Sequence, residues 1–206
     1  MLPIEIPPGT TVESLVTEVV PALHERLVPD DAPVDALAVA VRIEGSGSWT
    51  LRIRGRKIAV EEGEDAGAKL WVYATARSAE RFLEDAAGPK RLIPRFAPVA
   101  GVATMSDPRV LRRVAMASGR VELATVHDDG QRVSIVFGFG AATRRPIDPE
   151  DADVVVEAEL ATIERVLLGK LAPEDALADG GVTVRGNRLL ALQVALAVAP
   201  FFPGAR

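Results

Sequence analysis

Cysteine is missing from this 206-residue sequence, and histidine and aromatic residues are scarce. A chain without cysteine forms no disulfide, binds no zinc through thiolates and has no cysteine nucleophile. Two histidines are too few for a zinc site built mainly from imidazoles, and we expect neither a metal nor a cofactor. Aromatic residues make up only 4% of the chain, so the core is predicted to be aliphatic, built from Ala, Val and Leu.

Excess positive charge and membrane-length apolar runs are also missing. The net charge of -5 lacks the basic footprint of a nucleic-acid-binding protein, and we expect no nucleic-acid partner. The N-terminal stretch MLPIEIPPGT has neither the basic region nor the apolar region of a signal peptide. The apolar stretch near the C terminus is shorter than the roughly 20 residues that span a bilayer. We therefore predict a cytoplasmic protein without an integral membrane segment.

The length allows one large domain or two small ones, and 48% hydrophobic residues provide a substantial core. Thr10 or Thr11 can cap a helix that runs to about Val28, in which Pro21 predicts a kink near Thr17. The further elements predicted in the first half are strands at Leu37–Ile43, at Trp49–Ile53 with a continuation at Lys57–Val60, and at Leu70–Thr75, helices at Ser78–Ala87 and Lys90–Phe96, a strand at Val99–Thr104 and a helix at Pro108–Ala117.

The second half follows a similar plan. Its predicted elements are strands at Arg120–Val126, Arg132–Phe139 and Asp153–Glu159, helices at Thr162–Leu168 and Pro173–Ala178, a strand at Val182–Arg185 and a helix at Arg188–Ala199. An offset of 84 residues aligns Leu51 with Ile135 and Val72 with Val156, which indicates a degenerate internal repeat. Chance similarity between two αβ segments is the alternative. The predicted units are residues 1–117 and 118–206.

The predicted C-terminal helix is unusual because only Gln193 is polar between Leu189 and Ala199. Asn187 is a suitable N-cap, and Pro200 ends the helix. A surface helix normally has one apolar stripe and one polar face. Something apolar therefore has to cover this helix on nearly every side: the core of the protein, a partner or a ligand.

Residues 153–187 resemble the sterol carrier protein type 2 family, and a looser resemblance extends over residues 118–200. The residues that carry the resemblance are Asp153, Val154 and Val156 in a strand, then Leu167, Gly169, Lys170, Leu171 and Pro173, then Ala176-Leu177, a Gly at 180 or 181, and Val184, Gly186 and Asn187. The first half departs from this pattern, with Asp85 and Ala86 in place of Gly169 and Lys170.

The resemblance implies an α+β fold in which a mostly antiparallel, twisted sheet is covered by helices. It also implies an apolar cavity, closed by the C-terminal helix, that accepts fatty acyl chains, sterols or other lipids. Members of the family are mostly carriers or accessory domains, so the resemblance implies a hydrophobic small molecule as the partner and no enzymatic activity.

Several residues are candidates for contact with such a ligand. Phe137 and Phe139 share one face of a strand and would form a pocket floor, although plain core residues have the same pattern. The leucines of the C-terminal helix would meet the ligand while its alanines pack on the sheet, or the helix would be ordinary core. Phe201 would plug the cavity, dock a second chain or pack on its own domain. The full set of predicted ligand contacts is Phe137, Phe139, Val156, Leu167, Leu189, Leu192, Leu196 and Phe201.

Other motifs do not support catalysis. The glycine-containing stretch at residues 138–143 lacks the third glycine of a phosphate loop, and His127-Asp128-Asp129 is typical of a hairpin turn rather than of a metal site. The arginines around the first half's helices are interspersed with acids, as on a solvated face. We predict no catalytic residue. The hypothesis from sequence is a lipid-binding or carrier protein that opens about Gly186-Asn187; the alternative is a non-catalytic interaction module in which the C-terminal helix makes a homodimer.

Overall fold

A computed structural model of the chain describes residues 6–28, 36–87, 116–140, 151–167 and 170–198. An N-terminal helical segment comprises α1 (Val12–Ser14), a π-helical turn (Leu15–Val19) and α2 (Val20–Leu27). The other elements of the first half are β1 (Ala36–Ile43), β2 (Gly47–Arg54), β3 (Lys57–Glu62), β4 (Leu70–Ala74) and α3 (Ala76–Ala87). Those of the second half are β5 (Gly119–Val126), β6 (Arg132–Phe139), β7 (Val154–Glu159), α4 (Leu160–Leu167), α5 (Pro173–Ala178), β8 (Val182–Gly186) and α6 (Arg188–Val198).

The eight described strands form one sheet in the order β3-β2-β1-β4-β6-β5-β7-β8. The sheet is mixed, because β1 is parallel to β4 and β5 is parallel to β7, whereas the other neighbours are antiparallel. The α+β class is as predicted. A parallel pair requires a crossover connection, which local alternation of apolar residues does not reveal.

The two halves of the chain meet at the pairing of β4 with β6, where Val72 lies opposite Phe137. Within each half, a hairpin has the same register at an offset of 84 residues: Val39 pairs with Leu51, and Leu123 pairs with Ile135. At the same offset, the register of the parallel pair β1–β4 differs by two residues from that of β5–β7. A shift of two residues keeps each side chain on the same face of the sheet.

One face of the sheet is apolar, and the other mixes charged residues with buried ones such as Ala40 and Val136. Side chains of paired residues point to the same face, and the face alternates along each strand. Val39, Val41, Trp49 and Leu51 thus share a face with Val121 and Val154, and these residues belong to the two core clusters of the described chain. The opposite face carries ion pairs such as Arg52 with Glu61.

The N-terminal helical segment covers the apolar face of the first half. Thr11 caps it in a reciprocal pair with Ser14, and Val12 and Val16 are buried in the same core cluster as Val39 and Leu51. A proline has no N–H to donate to the preceding turn. The chain accommodates Pro21 through the π-helical turn, in which Val20 donates to Leu15, close to the predicted site of the kink.

The end of this segment is tied to the turn between β2 and β3. His24 is buried, and its Nε2 donates to the Gly55 carbonyl oxygen at 2.9 Å, which fixes the proton on that nitrogen. Arg56 Nε donates to the Glu25 carbonyl oxygen at 3.0 Å. His24 is therefore a structural residue. The predicted helix at Lys90–Phe96, the strand at Val99–Thr104 and most of the helix at Pro108–Ala117 lie outside the described residues.

Candidate apolar binding site

A row of three apolar side chains crosses the second half of the sheet. Leu123 pairs with Val156, and Val156 pairs with Val184, so the three lie side by side on the apolar face. Leu123 is 44% exposed and Val184 is 41% exposed, and Val156 between them is half-buried. We call these three residues the open row. Large aliphatic side chains this exposed on a core-facing surface indicate space that the described chain does not fill.

Buried residues lie on both sides of the open row, except on the edge strand β8, where no residue is buried. Two residues along the strands in one direction, Val121 and Val154 are buried. Two residues in the other direction, Val133 and Ala158 are buried. The exposure of Leu123 therefore does not result from an uncovered end of the sheet. It marks a gap between two covered parts of the apolar face, whereas Val156 packs against the cluster of Leu190 and Val184 lies on the edge strand β8.

Helix α6 covers the first of these parts. Asn187 caps the helix, because its Oδ1 accepts hydrogen bonds from the N–H groups of Leu189 and Leu190 at 3.1 Å each. Leu190 is buried in the same cluster as Val121 and Val154. A Cβ built on Gly119 would overlap the Leu190 side chain, which shows how closely α6 approaches β5.

Helices α4 and α5 pack against the other part where β7 and β8 form it. A Cβ at Gly181, just before β8, would lie 3.2 Å from Thr162 Cγ2 of α4 and 3.5 Å from the Ala176 carbonyl oxygen of α5. Thr162 and Ala176 are themselves buried. The antiparallel pair of β7 and β8 thus has a helix near each end, and its middle carries two residues of the open row.

The orientation of α6 differs from the expected one. Leu190, Ala191 and Val194 pack towards the sheet, whereas the predicted ligand contacts Leu189 and Leu192 are 66% and 56% exposed. At about 100° per residue, Leu189 and Leu192 lie on the side of the helix opposite to Leu190 and Val194. Sequence alone does not reveal which side of α6 faces the sheet, because a helix that is apolar on nearly every side has no stripe to mark its inner face.

The remaining predicted contacts fall into three groups. Phe139 is buried in the cluster of Leu190 and Val121, and Phe137 packs against that cluster from the same strand face. Val156 is the middle residue of the open row. The side chains of Leu167 and Leu196, and the whole of Phe201, lie outside the described parts of the chain.

The sequence interpretation missed Leu123 and Val184, which flank Val156 in the open row. Val184 lies between two polar residues of its strand, as core-facing residues often do, whereas Leu123 lies between Glu122 and Ala124. The signal that would have found them is the strand order. Once β7 is placed between β5 and β8, the register sets Leu123 and Val184 directly beside Val156.

The opposite face of the same strands carries a charge network. Arg132 Nη1 donates to Glu122 Oε1 at 2.7 Å, and Arg132 Nε donates to Glu157 Oε2 at 2.9 Å. Burial by itself raises the pKa of Glu122, but hydrogen bonds from Arg132 and Ser134 and the charges of Arg132 and Arg185 outweigh it and lower the pKa below 4.5. The hydrogen bond with Glu122 in turn raises the pKa of Arg132. The network thus places paired charges on the face opposite to the open row.

An open crevice of about 590 Å³ lies elsewhere, between α1 and α3 in the first half. Its lining includes Val12 and Leu83 together with the carboxylates of Glu13, Glu80 and Glu84. This position differs from the predicted one, which is beneath the C-terminal helix. Acidic walls also suit an apolar ligand poorly, because burying an unpaired carboxylate is costly.

The fold and the open row define an α+β protein, and its described residues leave part of the apolar face of the mixed sheet uncovered. Residues 102–198, just under half of the chain, match the model of the SCP-2 sterol transfer family. The match confirms the resemblance to sterol carrier protein type 2 predicted from the second half. It includes every residue of the open row and of α6. No curated protein sequence matches the chain.

Solved structures that resemble the chain include several sterol carrier proteins. Sterol carrier protein 2 like 2 from Aedes aegypti is 19% identical, with 43% of this chain and 88% of that chain covered and a TM-score of 0.32. Sterol carrier protein 2 from Yarrowia lipolytica, in its apo form, is 15% identical, with 46% and 86% covered and a TM-score of 0.35. Sterol carrier protein domain 2 of Helicoverpa armigera is 17% identical, with 54% and 93% covered and a TM-score of 0.36.

Among the described residues, no helix is long and apolar enough to cross a membrane. The same residues include no group of three or more His, Asp or Glu side chains that could hold a metal ion.

Proposed function

We propose that the protein binds a hydrophobic small molecule, such as a fatty acyl chain, a sterol or another lipid, against the open row of its second half. The observation that carries the proposal is the exposure of Leu123 between buried parts of the same face, with Val184 exposed on the edge strand beyond Val156. The match of residues 102–198 to a sterol transfer family supports it, because the open row lies within the matched segment.

The binding energy would come from burial of apolar surface. Neighbouring strands are about 4.8 Å apart, so the open row spans roughly 10 Å from β5 to β8. Each methylene that a ligand buries there contributes about 0.8 kcal/mol, which requires no polar chemistry from the protein. Among the predicted contacts, Phe137 and Val156 are best placed for this role. Val156 belongs to the open row, and Phe137 lies on the same face of the sheet.

Helix α6 would close one end of the site. The Asn187 N–H donates to the Asp153 carbonyl oxygen at 2.8 Å, which ties the end of β8 to the start of β7. Any opening of α6 would therefore begin beyond Asn187, at the C-terminal side of the predicted hinge. The cap on Leu189 and Leu190 would keep the first turn of the helix folded during such a motion.

The first half would not bind a second ligand of this kind. Its position equivalent to Leu123 is Val39, which is 7% exposed because Val12 and Val16 share its core cluster. We propose that residues 1–117 and 118–206 are degenerate copies of one unit, a proposal that the common hairpin register supports. The N-terminal helical segment would then take the place that the ligand takes in the second copy, and we expect one ligand per chain.

Native mass spectrometry of the full chain purified from cells tests the proposal. We expect the wild-type monomer to carry additional lipid mass, and the double variant Leu123→Asn/Val184→Asn to lose it. Both side chains are partly exposed, so these changes are expected to leave the thermal unfolding temperature nearly unchanged. The control is Leu177→Asn on α5, which is 48% exposed and outside the open row and should keep the lipid.

The alternative is a non-catalytic module that dimerises through α6, which the exposure of Leu189 and Leu192 favours. The same experiment separates the two functions. A wild-type dimer without added mass, or equal lipid retention by wild type and the Leu123→Asn/Val184→Asn variant, would contradict the proposed site.

A further inference from the structure

Strand β3 forms one edge of the described sheet, and its outer side has no strand partner there. Just after β3, the Gly63 N–H donates to the Ser48 carbonyl oxygen at 2.9 Å, so the backbone groups of Gly63 point towards β2. Backbone groups alternate in direction along a strand. The N–H and C=O groups of Ile58 and Val60 therefore point outward, away from β2. Edge groups of this kind are a template for another strand.

An antiparallel pairing of β3 with β3 of a second copy has three central registers, because outward-pointing residues have to lie opposite each other. A register centred on Ile58 places Lys57 opposite Ala59, and a register centred on Val60 places Glu61 opposite Ala59. The register centred on Ala59 places Ile58 opposite Val60 and Lys57 opposite Glu61. Of the three, only this register sets apolar residues against apolar ones and opposite charges against each other.

The two ends of β3 also differ in charge. At the turn end, Lys57 lies opposite Arg54 of β2, so two cations share one face of the sheet. At the other end, Arg52 pairs with Glu61 at 2.9 Å and with Asp65 at 3.1 Å, and one cation with two carboxylates leaves a net negative charge. The side chains of Lys57 and Glu61 are exposed. An antiparallel second copy sets the positive end of one strand against the negative end of the other.

The other edge of the described sheet, β8, has no such match. The Asn187 N–H donates to the Asp153 carbonyl oxygen, so the backbone groups of Val184 point outward. A self-pairing centred on Val184 would place Thr183 opposite Arg185. Strand β8 contains no acidic residue, and no register of β8 with itself can therefore pair its arginine with an opposite charge.

We propose that two copies of the chain associate through their β3 edges, antiparallel and centred on Ala59. Ile58 of each copy exchanges main-chain hydrogen bonds with Val60 of the other, as in other strand additions to a sheet edge. Charged side chains commonly keep edge strands apart, but opposite charges directly across two strands stabilise their pairing. The charges of β3 thus select one partner and one register.

The size of the contact makes this a weak dimer. One edge of six residues buries less than the ~800 Å² per partner of a stable interface, so the monomer predominates in dilute solution. The open row lies towards the opposite edge of the sheet, so the association leaves the proposed ligand site unchanged.

Sedimentation velocity of the full chain over about 5 to 500 µM tests the edge. We expect wild type to shift towards dimer as the concentration rises. Lys57→Glu sets two acids opposite each other at both ends of the contact, and Glu61→Lys sets two cations there, so each variant should self-associate at least about tenfold more weakly. An equimolar mixture of the two variants restores opposite charges in both pairs and should associate about as strongly as wild type.

Lys69→Glu is the matched control, since it reverses the charge of an exposed lysine outside β3 and should not alter the association. Thermal unfolding checks that Lys57→Glu and Glu61→Lys fold, which their exposed positions predict. The proposal is overturned by a wild type that stays monomeric throughout the range, or by unchanged self-association of the two variants. A mixture that associates no better than either variant alone, or a dimer that only Leu189→Ser/Leu192→Ser disrupts, would overturn it as well.

Discussion

Val39 and Leu123 occupy equivalent positions in two hairpins of identical register, yet Val39 is buried and Leu123 is nearly half exposed. The strands around the two residues are alike, so the difference in their exposure comes from the segments that pack on the sheet. Val12 and Val16 of the N-terminal helical segment are in the cluster of Val39. In the second half, Leu190 of α6 clusters with Val121 and Val154, and Leu123 does not belong to that cluster.

The first prediction compares the same truncation in the two hairpins. Leu51→Ala removes a buried side chain of the first core cluster and should cost about 2–5 kcal/mol in the free energy of unfolding. Leu123→Ala should cost less than about 1 kcal/mol, because its side chain already faces open space. Urea unfolding measures both. Equal losses would mean that the open row is covered in solution.

The second prediction concerns Gly186, which has a φ of 97° and approaches β7 so closely that a Cβ would overlap the Asp153 carbonyl oxygen. Gly186→Ala should destabilise the protein by at least about 3 kcal/mol, since backbone strain and overlap add. Gly180→Ala is the matched control, with a φ of 74° and no neighbour within 4 Å. It should cost about 1–2 kcal/mol from strain alone. Thermal unfolding of both variants separates the cost of the close approach from the cost of backbone strain. Similar losses of stability in the two variants would argue against a close approach at Gly186.

The third prediction tests the cap of α6. Asn187→Ala removes the acceptor for the N–H groups of Leu189 and Leu190 and should cost about 1 kcal/mol. Asn187→Asp keeps an acceptor at the positive end of the helix dipole and should preserve stability. Amide hydrogen exchange of α6 provides the local measurement. Faster exchange in both variants would show that the amide group of Asn187 has a role other than capping.

The fourth prediction is a pH dependence. Because the folded-state pKa of Glu122 is lowered below 4.5, its contribution to stability is present above that pH and is lost as the pH falls through the folded-state pKa. Glu122→Gln should therefore cost about 1–3 kcal/mol at neutral pH and nothing once wild-type Glu122 is protonated. Unfolding measurements on wild type and variant from about pH 7 to about pH 3 show whether the two stabilities converge.

An exposed ion pair supplies the control for that experiment. Arg81 lies 3.3 Å from Glu84, whose side chain is mostly exposed. Glu84→Gln should change the stability by less than about 1 kcal/mol at neutral pH. A constant difference between Glu122→Gln and wild type across the acid range would show that the charge of Glu122 is not what stabilises the sheet.

Local elements of the second half were readable from the sequence. The strand Arg132–Phe139 and the helix Pro173–Ala178 have the predicted bounds, and α6 begins at the predicted Arg188. Alternation of apolar residues, a proline at N1 and an asparagine cap are signals that adjacent residues carry. Such signals fix the type of an element and its limits.

Long-range relationships were not readable in the same way. The pairing of β4 with β6, and of β5 with β7, joins segments far apart in the chain, and only packing selects those neighbours. The prediction of Val156 as a ligand contact came from the family resemblance, whereas its partners Leu123 and Val184 required the strand order. The inner face of α6 required the position of Leu190 against Gly119.

The pairing of β4 with β6 also has a consequence for folding. In the described sheet both strands are interior, and each has a partner on either side. Cutting the chain between the halves would turn both into free edges, which pair readily with other chains. We therefore expect the intact protein to unfold as one cooperative unit. Either half made alone should aggregate, because the neighbour that satisfies its last strand belongs to the other half.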